Sequence, residues 1–181
     1  MKAILQRVLS GSVAVNDQIV SSIGKGVLVL AAVGPHDTQK DADSLAAKVL
    51  KMKLWPDENG SMWKRSVQDI EGEVLCVSQF TLYASTKKGA KPDFHGAAKG
   101  EMAKELYDYF FSKVQSSYQP ARVKDGVFQA MMQVALINDG PVTLEIDTES
   151  KKSSIDPSAT PSSSGMSTPL TTDAVASQPK S

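Results

Sequence analysis

Val27-Leu28-Val29-Leu30-Ala31-Ala32-Val33 is apolar at every position. Side chains of a strand alternate between its two faces, so a run with no polar position must be covered on both. This stretch therefore reads as the central strand of a sheet. Upstream, Gly24-Lys25-Gly26 reads as a hairpin turn, Gln18 to Ile23 as a strand, and Ile4 to Val15 as its hairpin partner, with period two at Ser12-Val13-Ala14-Val15. Downstream, Thr38 to Lys53 is predicted helical: Ala42, Leu45, Ala46 and Val49 share a face, and Thr38-x-x-Asp41 resembles a capping box. Pro56-Asp57-Glu58-Asn59-Gly60 is dense turn chemistry. Glu73 to Leu82 is a second buried strand, and Lys99 to Ser117 a helix facing Ala103, Leu106, Phe110 and Val114 inward. Met131 to Ile137 and Val142 to Ile146 are strands joined by Asn138-Asp139-Gly140-Pro141. Strands outnumber helices and neighbours are hairpin-linked. The expected class is α+β, with curved antiparallel or mixed sheets and helices to one side.

The 181-residue chain is long enough for one domain with a real core and short for two. Lys+Arg and Asp+Glu both number 20, so any nucleic-acid contact must come from a local patch. One cysteine, Cys76, excludes a disulfide framework and a Cys-based zinc site. His36 and His95 stand apart from each other, neither at metal-ligand spacing to a partner. No run of about 18 apolar residues spans a membrane, and Gln6 and Arg7 interrupt any signal-peptide core. A soluble cytoplasmic protein needing no metal is expected. From Lys151 to Ser181 the chain holds nine Ser, four Thr and four of the nine prolines, and no aromatic residue. Such a segment buries too little apolar surface to offset its ordering entropy. The expected organisation is a domain over 1–148 and a disordered, phosphorylatable tail over 149–181.

Gly24-Lys25-Gly26 is not a dinucleotide fingerprint, because Val29 occupies the third glycine position and a strand follows where a helix N-terminus is needed. No Walker A sequence, GxSxG elbow or HExxH pair occurs. Ser78-Gln79-Phe80-Thr81-Leu82 changes abruptly from apolar to polar at the end of a buried strand. Its hydroxyl and amide groups either hydrogen-bond a ligand at the rim of the core or satisfy local backbone groups. Asn138-Asp139-Gly140-Pro141 reads as an ordinary hairpin turn; the alternative is a cis X–Pro bond that sets two carbonyls on one side. Lys87, Lys88 and Lys91 are either solvated surface or phosphate contacts. His95 reads as a surface residue. Arg7, on an apolar strand, must reach solvent or pair with carbonyls or a carboxylate, which reads as a bracing residue or an anion contact.

Together, Gln6-Arg7-Val8, Ser78-Gln79-Phe80-Thr81-Leu82, Lys91-Pro92-Asp93-Phe94, Met132-Gln133-Val134 and Asn138-Asp139-Gly140-Pro141-Val142-Thr143 resemble the D-aminoacyl-tRNA deacylases, also called D-tyrosyl-tRNA deacylases. The resemblance runs from Met1 to about Ile146. It implies a homodimeric hydrolase of β/β/α layered fold with barrel-like curvature. The enzyme cleaves the ester joining a D-amino acid, or mischarged glycine, to the terminal adenosine of tRNA. It needs no cofactor. Ser78, Gln79 and Phe80 are implied to hold that adenosine and the scissile carbonyl. The N–H groups of Phe80 and Thr81 are candidate oxyanion donors, and Phe128 and Met132 line the adenine pocket. Gly140-Pro141 is implied to form a Gly-cisPro motif that reaches into the partner's site, with Arg7 as its brace. Lys87, Lys88 and Lys91 are candidates for tRNA backbone contacts.

No histidine, lysine or carboxylate in the Ser78–Leu82 block could activate Thr81 as a nucleophile. The family reading gives that work to the tRNA's own 2′-OH and a water, leaving Thr81 to position the ester. Two competing readings are a sister deacylase that edits L-alanine on tRNA for threonine, whose defining blocks differ, and a non-enzymatic nucleic-acid role of the tail.

Overall fold

The computed structural model describes residues 1–149. The order of elements is β1 (Lys2–Val15), β2 (Gln18–Ile23), β3 (Gly26–Ala32), α1 (Gln39–Lys51), β4 (Glu73–Ser78), α2 (Gly100–Ser116), β5 (Val123–Asp125) and β6 (Gln133–Asp147), with 3-10 turns at Phe80–Tyr83 and Pro120–Arg122. β1 organises the sheet. It turns at Asn16-Asp17, both at positive φ (51° and 63°), as a two-residue hairpin requires. The return path pairs Gly11 with Ile23 through β2 and Val8 with Gly26 through β3. The two strands thus lie end to end along one edge of β1.

The predicted hairpin turn at Gly24-Lys25-Gly26 is therefore corrected: the chain does not reverse there but passes from one partner segment to the next. The glycine has a different reason. A Cβ on Gly26 would lie 1.8 Å from the Glu73 carbonyl oxygen, so only glycine lets β4 begin against β3. Beyond that point β3, β4 and β5 run parallel. Parallel neighbours need a crossover, and α1 and α2 supply the two. This places both helices on one side of a mixed sheet that curls into a nearly closed barrel. The Ser21 hydroxyl, donating to the Asp125 carbonyl, ties β2 to β5 across the curl.

The doubly apolar character of the central strand is borne out by two cores. Val27, Val29 and Ala31 of β3 and Val74 and Cys76 of β4 face the helices, where they meet Leu45 and Val49 of α1 and Phe110 and Val114 of α2. The alternate residues Leu28, Leu75 and Val77 face the inside of the curl with Val8, Val13 and Ile23. Each fully buried side chain of this size contributes roughly 1.5–3 kcal/mol through removal from water. α1 begins as predicted at Thr38, whose N–H and hydroxyl both donate to the Asp41 carboxylate (2.9 and 2.7 Å).

Two further expectations are corrected. Glu73 to Leu82 is not one strand. The ladder with β3 stops at Ala31–Ser78, the Gln79 N–H makes a last bond to the Ala31 carbonyl (2.7 Å), and Phe80–Tyr83 coils into a 3-10 turn. Nor do the last two strands form a hairpin about Asn138–Pro141. Both halves of β6 run antiparallel to β1 in the same direction, from Gln133–Ala14 to Asp147–Lys2. Register jumps between Val8–Asn138 and Gln6–Thr143, so Asp139 to Val142 bulge out of a continuing strand. The segment expected as a tail lies, beyond Glu149, outside the described residues.

Candidate active site

The carboxyl ends of parallel strands leave a crevice where the connecting loops part, and ligands bind there in open sheets. Here Ala31, Ala32 and Val33 at the end of β3, Val77 and Ser78 at the end of β4, and the segment after β5 enclose a cavity of about 1170 Å³. Ser78, Gln79, Phe80 and Thr81 line it from one side, and Phe128 and Met132 from another. The structure thus brings together these six sequence-predicted residues. Lys91 also lines the cavity; Lys87 and Lys88 do not, although both are exposed nearby in the chain.

Local chemistry explains the polar rim. The Gln79 side-chain amide donates to the Thr81 hydroxyl oxygen, so part of this polarity satisfies itself. Phe80 and Thr81 open the 3-10 turn, where N–H groups lack an acceptor within the helix. Phe80 is 56% exposed and packs edge-on against Phe94 (centroids 5.2 Å apart), and both rings line the cavity. Asp93 holds this lip by paired backbone bonds to Ser85 (2.7 and 2.9 Å) and by accepting from the His95 N–H (2.9 Å). The two bonds from His95 to the Asp93 carboxyl hold its pKa below the usual carboxylate range. His95 is at the surface, as expected, and also borders the cavity mouth.

Sequence reasoning missed Tyr107. It is buried, lines the cavity, and tilts against Phe128 with ring centroids 5.7 Å apart. Its hydroxyl donates to Asp125 (2.6 Å), whose carboxyl is pushed up chiefly by burial. The available signal was its spacing of four from Ala103 on the inward stripe of α2. Met132 is seated by the Val127 N–H on its sulfur (3.3 Å) and by Gly126, where a Cβ would stand 2.8 Å from that sulfur.

Arg7, Gly140 and Pro141 do not line this cavity. They lie toward the amino-terminal end of β3, because Arg7 pairs with Val27. Arg7 is 7% exposed, and its guanidinium donates to the carbonyls of Leu54 and Asp139 (the latter 3.0 Å), with the Asp139 carboxylate at 3.1 Å. Asn138 closes the bulge from below: its side-chain Oδ1 accepts the Val142 N–H, and its side-chain Nδ2 donates to Thr143 Oγ1 (3.0 Å each). The Gly140–Pro141 bond is cis. Gly140 has φ 126°, and a Cβ there would meet Arg7 at 2.9 Å. Gly140 and Pro141 themselves are exposed.

Residues 4–147 match the family model described as D-Tyr-tRNA(Tyr) deacylase. A D-aminoacyl-tRNA deacylase of Yarrowia lipolytica is 57% identical, covering 84% of this chain and 100% of its own length. The Schizosaccharomyces pombe enzyme of that name is 50% identical, over 82% of this chain and 99% of its own. A solved structure described as c-Myc DNA unwinding element binding protein superposes with TM-score 0.79 at 44% identity, covering 82% of this chain and 99% of that one. A more distant one, a probable eukaryotic D-amino acid tRNA deacylase at 21% identity, shares the fold (TM-score 0.71, 80% of this chain and 97% of that one). With the family model spanning most of its length and relatives this close over nearly all of theirs, the chain belongs to the D-aminoacyl-tRNA deacylase family of hydrolases.

Proposed function

We propose that this chain, as a cytoplasmic homodimer, hydrolyses the ester between a D-amino acid and the 3′-terminal adenosine of tRNA. Water adds to the ester carbonyl carbon, the ribose 3′-oxygen leaves with a proton, and free D-amino acid and tRNA result. The observation that carries the reading is the separation of the two motifs. Ser78 to Thr81, Phe128 and Met132 line a cavity of adenosine-accepting size in their own chain, whereas the braced Gly140–Pro141 bulge faces solvent away from it. A second copy gives the bulge a cavity to enter. Exposed Leu9 (51%) and Ile137 (58%), on β1 and β6 beside the bulge, supply apolar surface for that association.

An aminoacyl ester is already activated, so positioning and charge stabilisation suffice. The adenine lies between Phe128 and Met132. The N–H groups of Phe80 and Thr81 stabilise the developing oxyanion, and the substrate's 2′-OH assists the water. The bulge main chain stands where an L-side chain would point, while a D-side chain points to solvent. Rejection of this kind admits many D-amino acids, and it also admits glycine, which has no side chain to clash. Discharge of D-tyrosyl-tRNA with L-tyrosyl-tRNA left intact is the expected result. Equal rates on the two would refute the selectivity, and faster discharge of L-alanyl-tRNA would favour the sister deacylase.

A second reading has one observation in its favour, the description of the 44%-identical solved structure as a DNA unwinding element binding protein. If the domain shared with that structure gives this chain a nucleic-acid role of its own, the chain binds duplex DNA in a mobility-shift assay, and absence of binding removes this reading.

A further inference from the structure

Behind the cavity wall lies a charged cluster that the deacylation chemistry does not use. Asp37 is 5% exposed, and its carboxylate accepts from three directions. The α-ammonium of Met1 donates to it and also to Thr148 Oγ1. The Gly34 N–H donates to it at 2.6 Å and the Tyr83 hydroxyl at 3.2 Å. Met1 is completely buried, and its carbonyl accepts the Thr148 N–H (3.0 Å). Two of these contacts touch the wall directly. Gly34 follows Val33, the last cavity-lining residue of the β3 end, and Tyr83 closes the 3-10 turn that presents Phe80 and Thr81. The fit is close, since a Cβ on Gly34 would lie 2.6 Å from the Tyr83 hydroxyl. A buried carboxylate is costly unless it is paired and hydrogen-bonded, and here the Met1 ammonium provides the countercharge. Burial and the adjacent Asp37 carboxylate push the Tyr83 phenol up, which keeps its proton available for this bond.

We propose that Asp37 is a positioning residue for deacylation: with the Met1 ammonium as counter-ion, it clamps the end of β3 to Tyr83 and so sets the 3-10 turn that presents Phe80 and Thr81 to the ester. The inference rests on the functional reading above. A turn held by one shared carboxylate has a specific kinetic signature. Loosening it misplaces groups that act on the transition state while leaving adenosine binding in place, so kcat falls and KM does not rise.

The test compares wild type, Asp37→Asn, Tyr83→Phe and the double variant on D-tyrosyl-tRNA, with the thermal midpoint recorded for each. Expected is a kcat loss of about tenfold in each single variant, consistent with small misplacements of catalytic groups. KM should stay within about twofold, and the double variant should be no slower than the slower single. Folded variants with wild-type kcat, a rise in KM alone, or single effects that multiply in the double variant would each overturn the proposal. Should Asp37→Asn fail to fold, Tyr83→Phe decides by itself, because it removes one hydroxyl and no packing. A folded wild type inactive on D-tyrosyl-tRNA sinks the functional reading and this inference with it; an active wild type with fully active variants sinks the inference alone.

Discussion

The cavity rim and the β6 bulge handle polar groups in opposite ways. At the rim, β4 runs out of partner after Ser78, and the next residues turn their groups toward a space within their own chain. In the bulge, the bonds lie at the base, from Arg7 and Asn138, while Gly140 and Pro141 at the tip are exposed. The rim is a place to receive something. The bulge is a projection braced at its base, with Gly140 against Arg7 and Pro141 exposed beyond it. The proposed function gives that bracing a use, because a tip held rigid at its base can act on a second copy.

The sharpest way to break this contrast is on the rim. If the rim only positions the ester, a D-tyrosyl-tRNA ending in 2′-deoxyadenosine should react about 100-fold slower, the scale of a lost acid–base group, while Thr81→Ala on the normal substrate keeps substantial activity. Abolished turnover in a folded, tRNA-binding Thr81→Ala protein would make Thr81 a nucleophile instead. Next in size is Arg7→Ala. It strands two carbonyls and a partly exposed carboxylate, so denaturant unfolding should register a loss of about 2 kcal/mol. The ratio of D- to L-tyrosyl-tRNA rates should fall about tenfold, and an unchanged ratio would separate the bulge from chirality.

A smaller effect concerns the loop beside the rim. Replacing Lys87, Lys88 and Lys91 with alanine should weaken tRNA binding and flatten its log–log salt slope by about 0.7 for each phosphate that is no longer neutralised. Since only Lys91 of the three borders the cavity, the single Lys91→Ala variant should show the largest share. The smallest effect is on stability. Burial raises the Asp125 carboxyl, so the folded protein holds that proton more tightly than the unfolded chain. Its stabilising contribution is present at low pH and is lost as pH rises through the raised value. Asp125→Asn should therefore unfold at an equal or higher temperature than wild type at pH 7, and the difference should shift toward wild type on acidification. A variant advantage that grows as pH falls would reverse the assignment.

Much of this was legible in the chain. Unbroken apolarity from Val27 to Val33 announced a strand covered on both sides, and Thr38 with Asp41 announced the start of α1, because both signals are local. The change from apolar to polar at Ser78 marked the rim for the same reason. Gly24-Lys25-Gly26 and Asn138–Pro141 look like reversals and are not, since turn-forming residues mark where the backbone departs from regularity and not which way it continues. Direction was settled by distant partners, Gly11 to Val15 and Lys2 to Val8 for the first, and the whole of β1 for the second. Tyr107 carries no such mark, because an aromatic residue on an inward helix stripe looks the same whether it fills a core or walls a cavity.

By itself the amino-acid sequence determined the central strand, the start of α1, the inward stripes of the two helices, and the two polar blocks that set the family. Those properties follow from periodicity and residue chemistry within a few positions. Only the tertiary structure decided that Phe128 and Met132 stand across a cavity from Ser78 and Thr81, that Arg7 reaches over to Asp139, and that the carboxylate of Asp37 gathers Met1, Gly34 and Tyr83 behind the wall. Such pairings join residues far apart in the chain, and they exist only once strand register and sheet curvature have been set by packing the whole domain.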